Sequence, residues 1–168
     1  PRGLREADAS VGYGAGIKET FNNVGSLVAE NGLPEKAERY FRQALRIRGD
    51  YTTARRNLVV TLRMQGKDRE ALEEAAAGLR IESRDPVLFE EGAEAAMAVE
   101  DGAALTALCT LRMDAVPGDP SPHRFLGLWA AEHAKSPSLA KRHFEAALRL
   151  DPGDEVSARR LDEARSRL

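Results

Sequence analysis

The sequence predicts an all-α protein, a solenoid of stacked helix-turn-helix units, on three observations. The stretch FNNVGSLVAENGLPEKAERYFRQAL (21–45) returns in altered form 34 residues later as RRNLVVTLRMQGKDREALEEAAAGL (55–79). Apolar residues within each copy recur at helical spacing. The chain is rich in Ala and only 5% aromatic, which suits closely packed helices better than a β-sandwich. A period of this size indicates stacked structural units.

Composition sets the broad class of the protein. The 168 residues are 42% hydrophobic and 31% charged, as expected for one folded domain. The net charge of -2 gives no general attraction to nucleic acid or to anionic membranes. No apolar run is long enough to cross a bilayer, and no signal-peptide pattern opens the chain. Because the sequence begins at Pro1 without Met, we expect it to be a piece of a longer protein.

The single cysteine, Cys109, excludes an internal disulfide framework and a multi-cysteine zinc site. A domain without disulfides works in the cytoplasm or in the periplasm, with the cytoplasm slightly favoured. Cys109 also falls on a core position of its helix, so we expect a buried, unreactive thiol.

The repeat register divides the whole chain. Residues 1–17 are interpreted as a weak element followed by a Gly-rich connector, SVGYGAG. A C-terminal capping helix, residues 154–168, has Asp154 as its N-cap and a polar outer face that suits contact with water. Between them lie four blocks with two helices each: 18–51, 52–85, 86–119 and 120–153.

The first block defines the pattern for the others. Gly32 ends its first helix and Pro34 begins the second. The apolar faces of the two helices consist of Phe21, Val24, Gly25 and Val28, then Ala37, Phe41, Ala44 and Leu45. Neither helix is long enough to be stable alone, so stacking must bury the shared apolar face.

The second and fourth blocks repeat this pattern. In the second, Gly66 stands at the turn, and the apolar positions are Leu58, Leu62, Ala71, Ala75 and Leu79. In the fourth, Ser136-Pro137 predicts a helix cap followed by Pro at the first helical position. Its apolar positions are Leu126, Gly127, Ala130, Ala140, Phe144, Ala147 and Leu148.

The third block departs most from the pattern. Phe89 and Leu105 fit the apolar positions, but Arg112 stands where Ala44 stands in the first block, and Glu100 replaces the turn glycine. We expect looser helix packing in this block.

These residues together resemble the tetratricopeptide repeat (TPR) family over residues 18–152. The family pattern of 34 residues has Leu-Gly in helix A, a small residue at the turn, and Ala, an aromatic residue and Ala-Leu in helix B. Departures from it include Arg55 and His123 at a large apolar position and Ala75 at the aromatic one. The resemblance implies a right-handed α-solenoid whose helix A residues form a concave groove that binds another protein or an extended peptide.

The resemblance also places two asparagines of successive units at the same groove position, Asn23 and Asn57. A carboxamide both donates and accepts hydrogen bonds, so such a ladder can hold the backbone of an extended peptide. It resembles the asparagine ladder in the TPR region of a glycosyltransferase. The alternative is that these side chains hydrogen-bond the neighbouring helix.

The remaining candidate peptide-binding residues are Asn22, Arg56, Arg63, Glu90 and Glu94. A basic helix face beside an acidic one would favour a ligand of mixed charge. The alternative is a solvated face with interhelical ion pairs, each of little energetic weight. Asn22 and Ser26 stand where the family's carboxylate clamp requires Lys and Asn, which excludes recognition of chaperone C-terminal tails.

Catalysis is not expected: we predict no catalytic residue, no cofactor and no metal site. His133 and His143 lie on successive helices and would be near each other, but a zinc site needs more ligands. We expect no binding of nucleic acid and no direct membrane insertion. Two alternatives to groove binding stay open, namely self-assembly through the third unit or an open end, and service as the accessory TPR domain of a larger enzyme.

Overall fold

A computed structural model describes residues 2–167, with side chains from residue 16 onward. All regular structure in this part of the chain is helical, which confirms the all-α prediction. The helices are α1 (Arg2–Glu30), α2 (Pro34–Ile47), α3 (Thr52–Met64), α4 (Asp68–Leu79), α5 (Pro86–Ala98), α6 (Gly102–Ala115), α7 (Ser121–Glu132), α8 (Pro137–Leu150) and α9 (Glu155–Arg165). They form two compact units, the first extending to Glu82 and the second beginning at Ser83.

Within each unit, helices that follow one another in the chain pack together. In the first unit, α1 packs on α2, α2 on α3 and α3 on α4, and α1 also contacts α3. In the second, the same order runs from α5 to α9, and α7 also contacts α9. Each unit therefore stacks helical hairpins as a repeat protein does.

The predicted connector SVGYGAG is the main correction at the N-terminus. The backbone of α1 is helical through this segment, up to Glu30. Each glycine in a helix costs about 1 kcal/mol relative to Ala, which weakens a helix but does not end it as proline does. Once residues further along have nucleated the helix, each added residue gains a hydrogen bond, so the helix extends through the glycines.

The turn within each hairpin has a left-handed backbone, and in the first two hairpins it lies at the glycines that the sequence predicts at the turn. Gly32 has φ +74° and Gly66 has φ +70°. Glu100 takes the same place in the third hairpin with φ 55°, and Lys135 in the fourth with φ 48°. In the first three turns, the amide of the next residue donates to the carbonyl five residues earlier. This pattern closes the end of helix A and requires the left-handed residue.

Glycines of helix A allow two hairpins to close tightly. A Cβ on Gly25 would lie 2.7 Å from the Phe41 ring, and one on Gly127 would lie 2.6 Å from the Phe144 ring. Both phenylalanines are fully buried. The Gly and aromatic positions of the repeat pattern are therefore one packing contact between the two helices of a hairpin.

Three aspartates cap helices. The side chains of Asp85, Asp101 and Asp154 accept hydrogen bonds from backbone amides at the starts of α5, α6 and α9. The predicted cap at Asp154 is confirmed. Ser136 holds the N-cap position of α8, but its side chain makes no capping hydrogen bond. There Pro137 at the first turn supplies the helical φ.

Polar partners anchor Arg112 in the third hairpin. Its Nε lies 2.5 Å from Asp119 Oδ2, and a second guanidinium nitrogen donates to the Arg84 carbonyl at 2.6 Å. Its Cζ lies 5.7 Å from the centre of the Phe89 ring. Burial alone would raise the pKa of Asp119, but hydrogen bonds from Ser121 and Arg112 lower it. Arg112, a charged residue at a position that holds Ala in the first block, is thus paired with a carboxylate where it is buried.

In three of the hairpins, the same repeat position of the first helix contacts the same repeat position of the second helix. The side chains at this contact differ in chemical type from one hairpin to the next, and we call these contacts the matched pairs. In the first hairpin Phe21 lies against Tyr40, with ring centres 6.4 Å apart. In the second, Arg55 forms an ion pair with Glu74. In the fourth, His123 meets His143. The departures at Arg55 and His123 therefore each come with a fitting partner in helix B.

Candidate functional site

The predicted groove asparagines form a hydrogen-bonded cluster in the first unit. Asn57 Nδ2 on α3 donates to Asn22 Oδ1 on α1 at 2.9 Å and to Ser26 Oγ at 3.3 Å. Asn22 Nδ2 donates in turn to Asn23 Oδ1 at 3.4 Å. We call Asn22, Asn23, Ser26 and Asn57 the asparagine cluster. The hydrogen bonds by which the cluster joins α1 to α3 run between side chains.

The members of the cluster differ in burial. Asn22 is 6% exposed, Asn57 is half-buried and Asn23 is exposed. The predicted alternative, a hydrogen bond to the neighbouring helix, is what Asn57 shows, and its partner is Asn22 rather than Asn23. The repeat register placed Asn22 and Asn23 side by side. Only the packing of α1 on α3 decides which of the two reaches Asn57.

The hydrogen bonds of the cluster run in one direction. Each amide nitrogen donates to the next oxygen, from Asn57 through Asn22 to Asn23. The Asn57 oxygen at one end and the Asn23 nitrogen at the other are outside this chain of bonds. The arrangement therefore offers an acceptor and a donor on neighbouring helices.

A second polar group lies at the start of the first block, and the sequence analysis missed it. Lys18 is buried, with Nζ 2.6 Å from Glu19 Oε1 and 5.1 Å from the centre of the Tyr51 ring. The hydrogen bond from Lys18 lowers the pKa of Glu19. The available signal was a Lys 33 residues before an aromatic residue, which brings the start of one block near the start of the next.

The two candidate arginines lie on α3. Arg63 forms an ion pair with Asp68, the first residue of α4. Both side chains are about one-fifth exposed. Arg56 is half-buried. The predicted alternative of interhelical ion pairing thus applies to Arg63 within its own hairpin.

The two candidate glutamates lie on α5 in the second unit. Glu90 and Glu94 are both exposed and one helical turn apart. Glu90 Oε1 lies 3.8 Å from a guanidinium nitrogen of Arg124 on α7. That guanidinium also lies 3.8 Å from Asp154 Oδ2. This ion pair at the surface of α5 and α7 contributes little to stability by itself.

In the first unit, three hydrogen-bond donors surround the carboxylate of Glu38. Glu38 on α2 receives hydrogen bonds from Arg42 at 2.9 Å, Lys67 at 2.8 Å and Gln65 at 3.0 Å. Burial would raise the pKa of Glu38, but these donors outweigh it and hold the pKa at about 2. The contact links α2 to the turn between α3 and α4, so its role is to join two hairpins.

Two of the three histidines meet, but they are not the predicted two. The Nδ1 atoms of His123 and His143 lie 3.3 Å apart, while His133 stacks on Trp129 with ring centres 4.1 Å apart. Burial lowers the pKa of both paired histidines; Arg149 lowers that of His123 further, and His123 and Arg142 lower that of His143 further. The spacing of the other matched pairs was the signal for this contact. Among the described side chains, no three potential ligands come together around a metal position.

Cys109 is fully buried in α6, as predicted. Burial raises the pKa of its thiol to about 12, and the nearby Asp119 carboxylate adds to this effect. The thiolate is the reactive form of cysteine, so the thiol is unreactive at neutral pH.

The second unit has an open cleft of about 530 Å³ between α7, α8 and α9. Its apolar lining comes from Ala131, Pro137, Ala140 and Ala164. Charged side chains also line it: Glu132, Lys135, Arg160, Glu163 and Arg167. Arg160 pairs there with Glu132 at 2.9 Å and with Glu163 at 3.1 Å, so these three charged side chains are joined by ion pairs.

Within the described part of the chain, no helix combines the length and apolar character that spanning a bilayer requires. No family model matches the sequence. No curated protein is significantly similar to it.

Solved structures show the fold. A MamA structure from Desulfovibrio magneticus RS-1 has a TM-score of 0.72 at 17% identity, covering 90% of this chain and 85% of that one. A tetratricopeptide repeat protein from Parabacteroides merdae has a TM-score of 0.73 at 16% identity, covering 90% and 61%. YrrB, a TPR protein with an unusual peptide-binding site, has a TM-score of 0.65 at 17% identity, covering 88% and 75%. The chain therefore has the tetratricopeptide repeat fold that its sequence pattern predicts.

Proposed function

We propose that this chain is a non-catalytic adaptor that binds an extended segment of another protein, with the asparagine cluster as its central contact. The observation that carries the proposal is the direction of the hydrogen bonds in the cluster. The Asn23 amide nitrogen can donate to a peptide carbonyl, and the Asn57 oxygen can accept from a peptide N–H. The peptide backbone alternates these two groups, so one extended chain satisfies both.

The cluster is also held in place before any ligand binds. Asn22 is almost completely buried and bonds to both Asn57 and Asn23. Side chains that are already ordered lose less conformational entropy on binding. YrrB, which has the same fold, is a TPR protein with an unusual peptide-binding site, and this supports the same use of the fold here.

The remaining candidates would act on the side chains of the ligand. Arg56 and Arg63 on α3 of the first unit would favour acidic residues in a bound segment. Glu90 and Glu94 on α5 would favour basic residues in a segment bound to the second unit. The raised pKa of the buried Cys109 thiol excludes this side chain as a nucleophile at neutral pH.

The first experiment compares wild type with the Asn23→Ala/Asn57→Ala variant as bait in a pull-down from the lysate of the source. We expect wild type to retain a protein that the double variant loses. Gln43→Ala is the matched control, because it removes an exposed carboxamide from α2 of the same hairpin. Circular dichroism of each bait establishes that it is folded.

A second variant tests the direction of the cluster. Asn23→Asp keeps an oxygen for Asn22 Nδ2 but replaces the outward donor with a negatively charged acceptor. For a peptide from the retained protein, we expect its Kd to rise roughly tenfold or more, since a charged-group mismatch costs at least about 1.5 kcal/mol. Equal binding to wild type and Asn23→Asp, measured by isothermal titration calorimetry, would refute the role of Asn23 as a donor.

A further inference from the structure

Two histidines and two arginines of the fourth hairpin line an open cleft of about 370 Å³, which we call the histidine cleft. His123 lies on α7, and Arg142, His143 and Arg149 lie on α8. Both histidines are half-buried and both arginines are exposed. The histidine cleft shares no residue with the asparagine cluster or with the other candidate peptide-binding residues, so it is a separate surface of the second unit.

The residue spacing along α8 shapes the histidine cleft. Arg142, Ala146 and Arg149 follow one another at i, i+4 and i+7, so they share one face of the helix. A rise of 1.5 Å per residue separates the two arginines by about 10 Å along the helix axis. Ala146 lines the cleft between them, and its small side chain leaves the space open. The two arginines therefore flank a gap that is wide enough for a small ligand.

The histidine cleft carries an excess of positive charge. Within the described part of the chain, neither Arg142 nor Arg149 forms an ion pair or a hydrogen bond. Glu145 supplies the single carboxylate among the described lining residues, and its Oε1 lies 3.4 Å from a guanidinium nitrogen of Arg165 on α9. An anion that enters the cleft therefore meets two guanidinium groups whose donors are available.

The histidine pair suits an anion better than a cation. The Nδ1 atoms of His123 and His143 lie 3.3 Å apart, so a hydrogen bond between the neutral rings uses one N–H and leaves the N–H of the other ring for another acceptor. After burial, the charges of Arg149 and Arg142 contribute to the lowered pKa of the histidines beside them. The same positive charges oppose a metal cation between the two imidazoles and attract an anion.

We propose that the histidine cleft binds a phosphate group with two negative charges, either inorganic phosphate or a phosphate monoester. Arg142 and Arg149 would hold its oxygens from two sides, because a guanidinium group binds phosphate through two parallel N–H donors. The imidazole pair would donate to a further oxygen. A tetrahedral phosphate offers oxygens in several directions, which suits donors on two helices better than a planar carboxylate does. The inference does not depend on peptide binding.

The first hairpin provides an internal comparison. Arg39 and Arg46 keep the same arginine spacing on α2, and both are exposed. Gln43 stands there in place of Ala146, and the aromatic matched pair stands in place of the histidines. The first hairpin thus has the two arginines without the small residue between them and without the imidazoles, so its arginines serve as a matched control.

The test follows the imidazole resonances of the full chain by NMR during titration with inorganic phosphate, O-phosphoserine and dimethyl phosphate. Ionic strength is held constant, at about pH 7.5, where a phosphate monoester carries two charges. Phosphate and phosphoserine should shift the His123 and His143 resonances to saturation, whereas His133, which stacks on Trp129, should not respond. Dimethyl phosphate has one charge and should bind roughly tenfold more weakly or less.

The two dianions distinguish the source of the phosphate group. Tighter binding of phosphoserine than of inorganic phosphate would support a phosphorylated side chain as the ligand. Equal or weaker binding of phosphoserine would support free phosphate. Both results support the histidine cleft as a phosphate site.

Three variants locate the site. Arg142→Gln/Arg149→Gln should raise the Kd for phosphate roughly tenfold or more, because charge-assisted hydrogen bonds are lost. Arg39→Gln/Arg46→Gln changes the charge of the chain equally and should leave this Kd unchanged. Ala146→Gln copies the first hairpin, fills the gap without altering a charge, and should also weaken binding. The four arginines are exposed, so both double variants should stay folded, which circular dichroism checks.

Several results would overturn the proposal. One is the absence of saturable shifts with phosphate and phosphoserine well into the millimolar range. Another is equal loss of binding in the two arginine variants, which would indicate a general effect of charge. Binding that survives Ala146→Gln would place the anion outside the histidine cleft, and equal binding of dimethyl phosphate would refute the dianion class. Zn²⁺ that shifts the His123 and His143 resonances where phosphate does not would assign the cleft to a cation.

Discussion

The turn residues of the hairpins allow a reciprocal test of backbone strain. Gly66 and Glu100 occupy equivalent turns, with φ +70° and 55° and the same closing hydrogen bonds. Glu100→Gly should stabilise the protein, and Gly66→Ala should destabilise it. No atom lies within 4 Å of a Cβ built on Gly66, so the second change introduces conformational strain without a clash.

The magnitude follows from two opposing effects. A left-handed backbone costs a residue with a Cβ about 1–2 kcal/mol. Glycine makes the unfolded chain more flexible, which costs about 0.4–1 kcal/mol of stability. The net change in the free energy of unfolding is about +1 kcal/mol for Glu100→Gly and about -1 kcal/mol for Gly66→Ala. For a chain of this size, each corresponds to a shift in Tm of roughly 2–4 °C.

Urea unfolding followed by circular dichroism at 222 nm measures both changes. Glu100→Ala is the control, because it removes the carboxylate but keeps the Cβ, and it should leave stability nearly unchanged. If Glu100→Gly destabilised the protein, or if Glu100→Ala stabilised it equally, the Glu100 side chain rather than its φ would decide stability, and the reasoning would be wrong.

Three further predictions concern packing and titration. Gly127→Ala should lower stability by about 1–3 kcal/mol in thermal unfolding, because the new Cβ would lie 2.6 Å from Phe144. Gly118→Ala is the control and should be neutral, because no atom lies within 4 Å of its new Cβ. Equal effects of the two substitutions would contradict this prediction. The lowered pKa values of His123 and His143 mean that the unfolded chain takes up protons first, so stability should fall as pH drops through about 6.5, by at most about 1.4 kcal/mol per pH unit for each histidine. His123→Phe/His143→Tyr, which copies the aromatic pair of the first hairpin, should flatten that part of a urea-unfolding pH profile, and an unchanged slope would count against the pair. The pKa of Glu38 is lowered to about 2, so the stabilisation from its ionised form is present above its ordinary pKa of 4.5 and is lost as pH falls towards 2. Glu38→Gln should therefore lower stability at pH 7 and weaken the dependence of stability on pH between 4.5 and 2. A stability-against-pH profile parallel to that of wild type would refute the assignment.

The hairpins were predictable because burial dictates their residues. Apolar positions such as Phe41 and Phe144, and the glycines packed against them, must recur wherever the same two helices meet. The turn glycines were predictable for a related reason, since only the backbone conformation matters there. Glu100 shows that the conformation persists even when the residue changes.

The contacts of polar residues were harder to predict. The register places Asn22 and Asn23 next to each other, and a rotation of α1 by one residue would exchange their roles. Likewise, His143 meets His123, whereas His133 stacks on Trp129. Such details depend on the distance between two side chains, which a pattern of residue types does not contain.

The matched pairs have a consequence for how the chain reaches its native state. Similar hairpins in one chain invite a helix A to dock on a helix B from the wrong repeat, an error typical of repeat proteins. Arg55 docked against Tyr40 or His143 would be buried without a carboxylate, at a cost of several kcal/mol. Each first helix therefore fits the second helix of its own hairpin better than that of another hairpin, because the matched pairs differ: Phe21–Tyr40, Arg55–Glu74 and His123–His143. The departures from the repeat pattern make the hairpins distinguishable during folding.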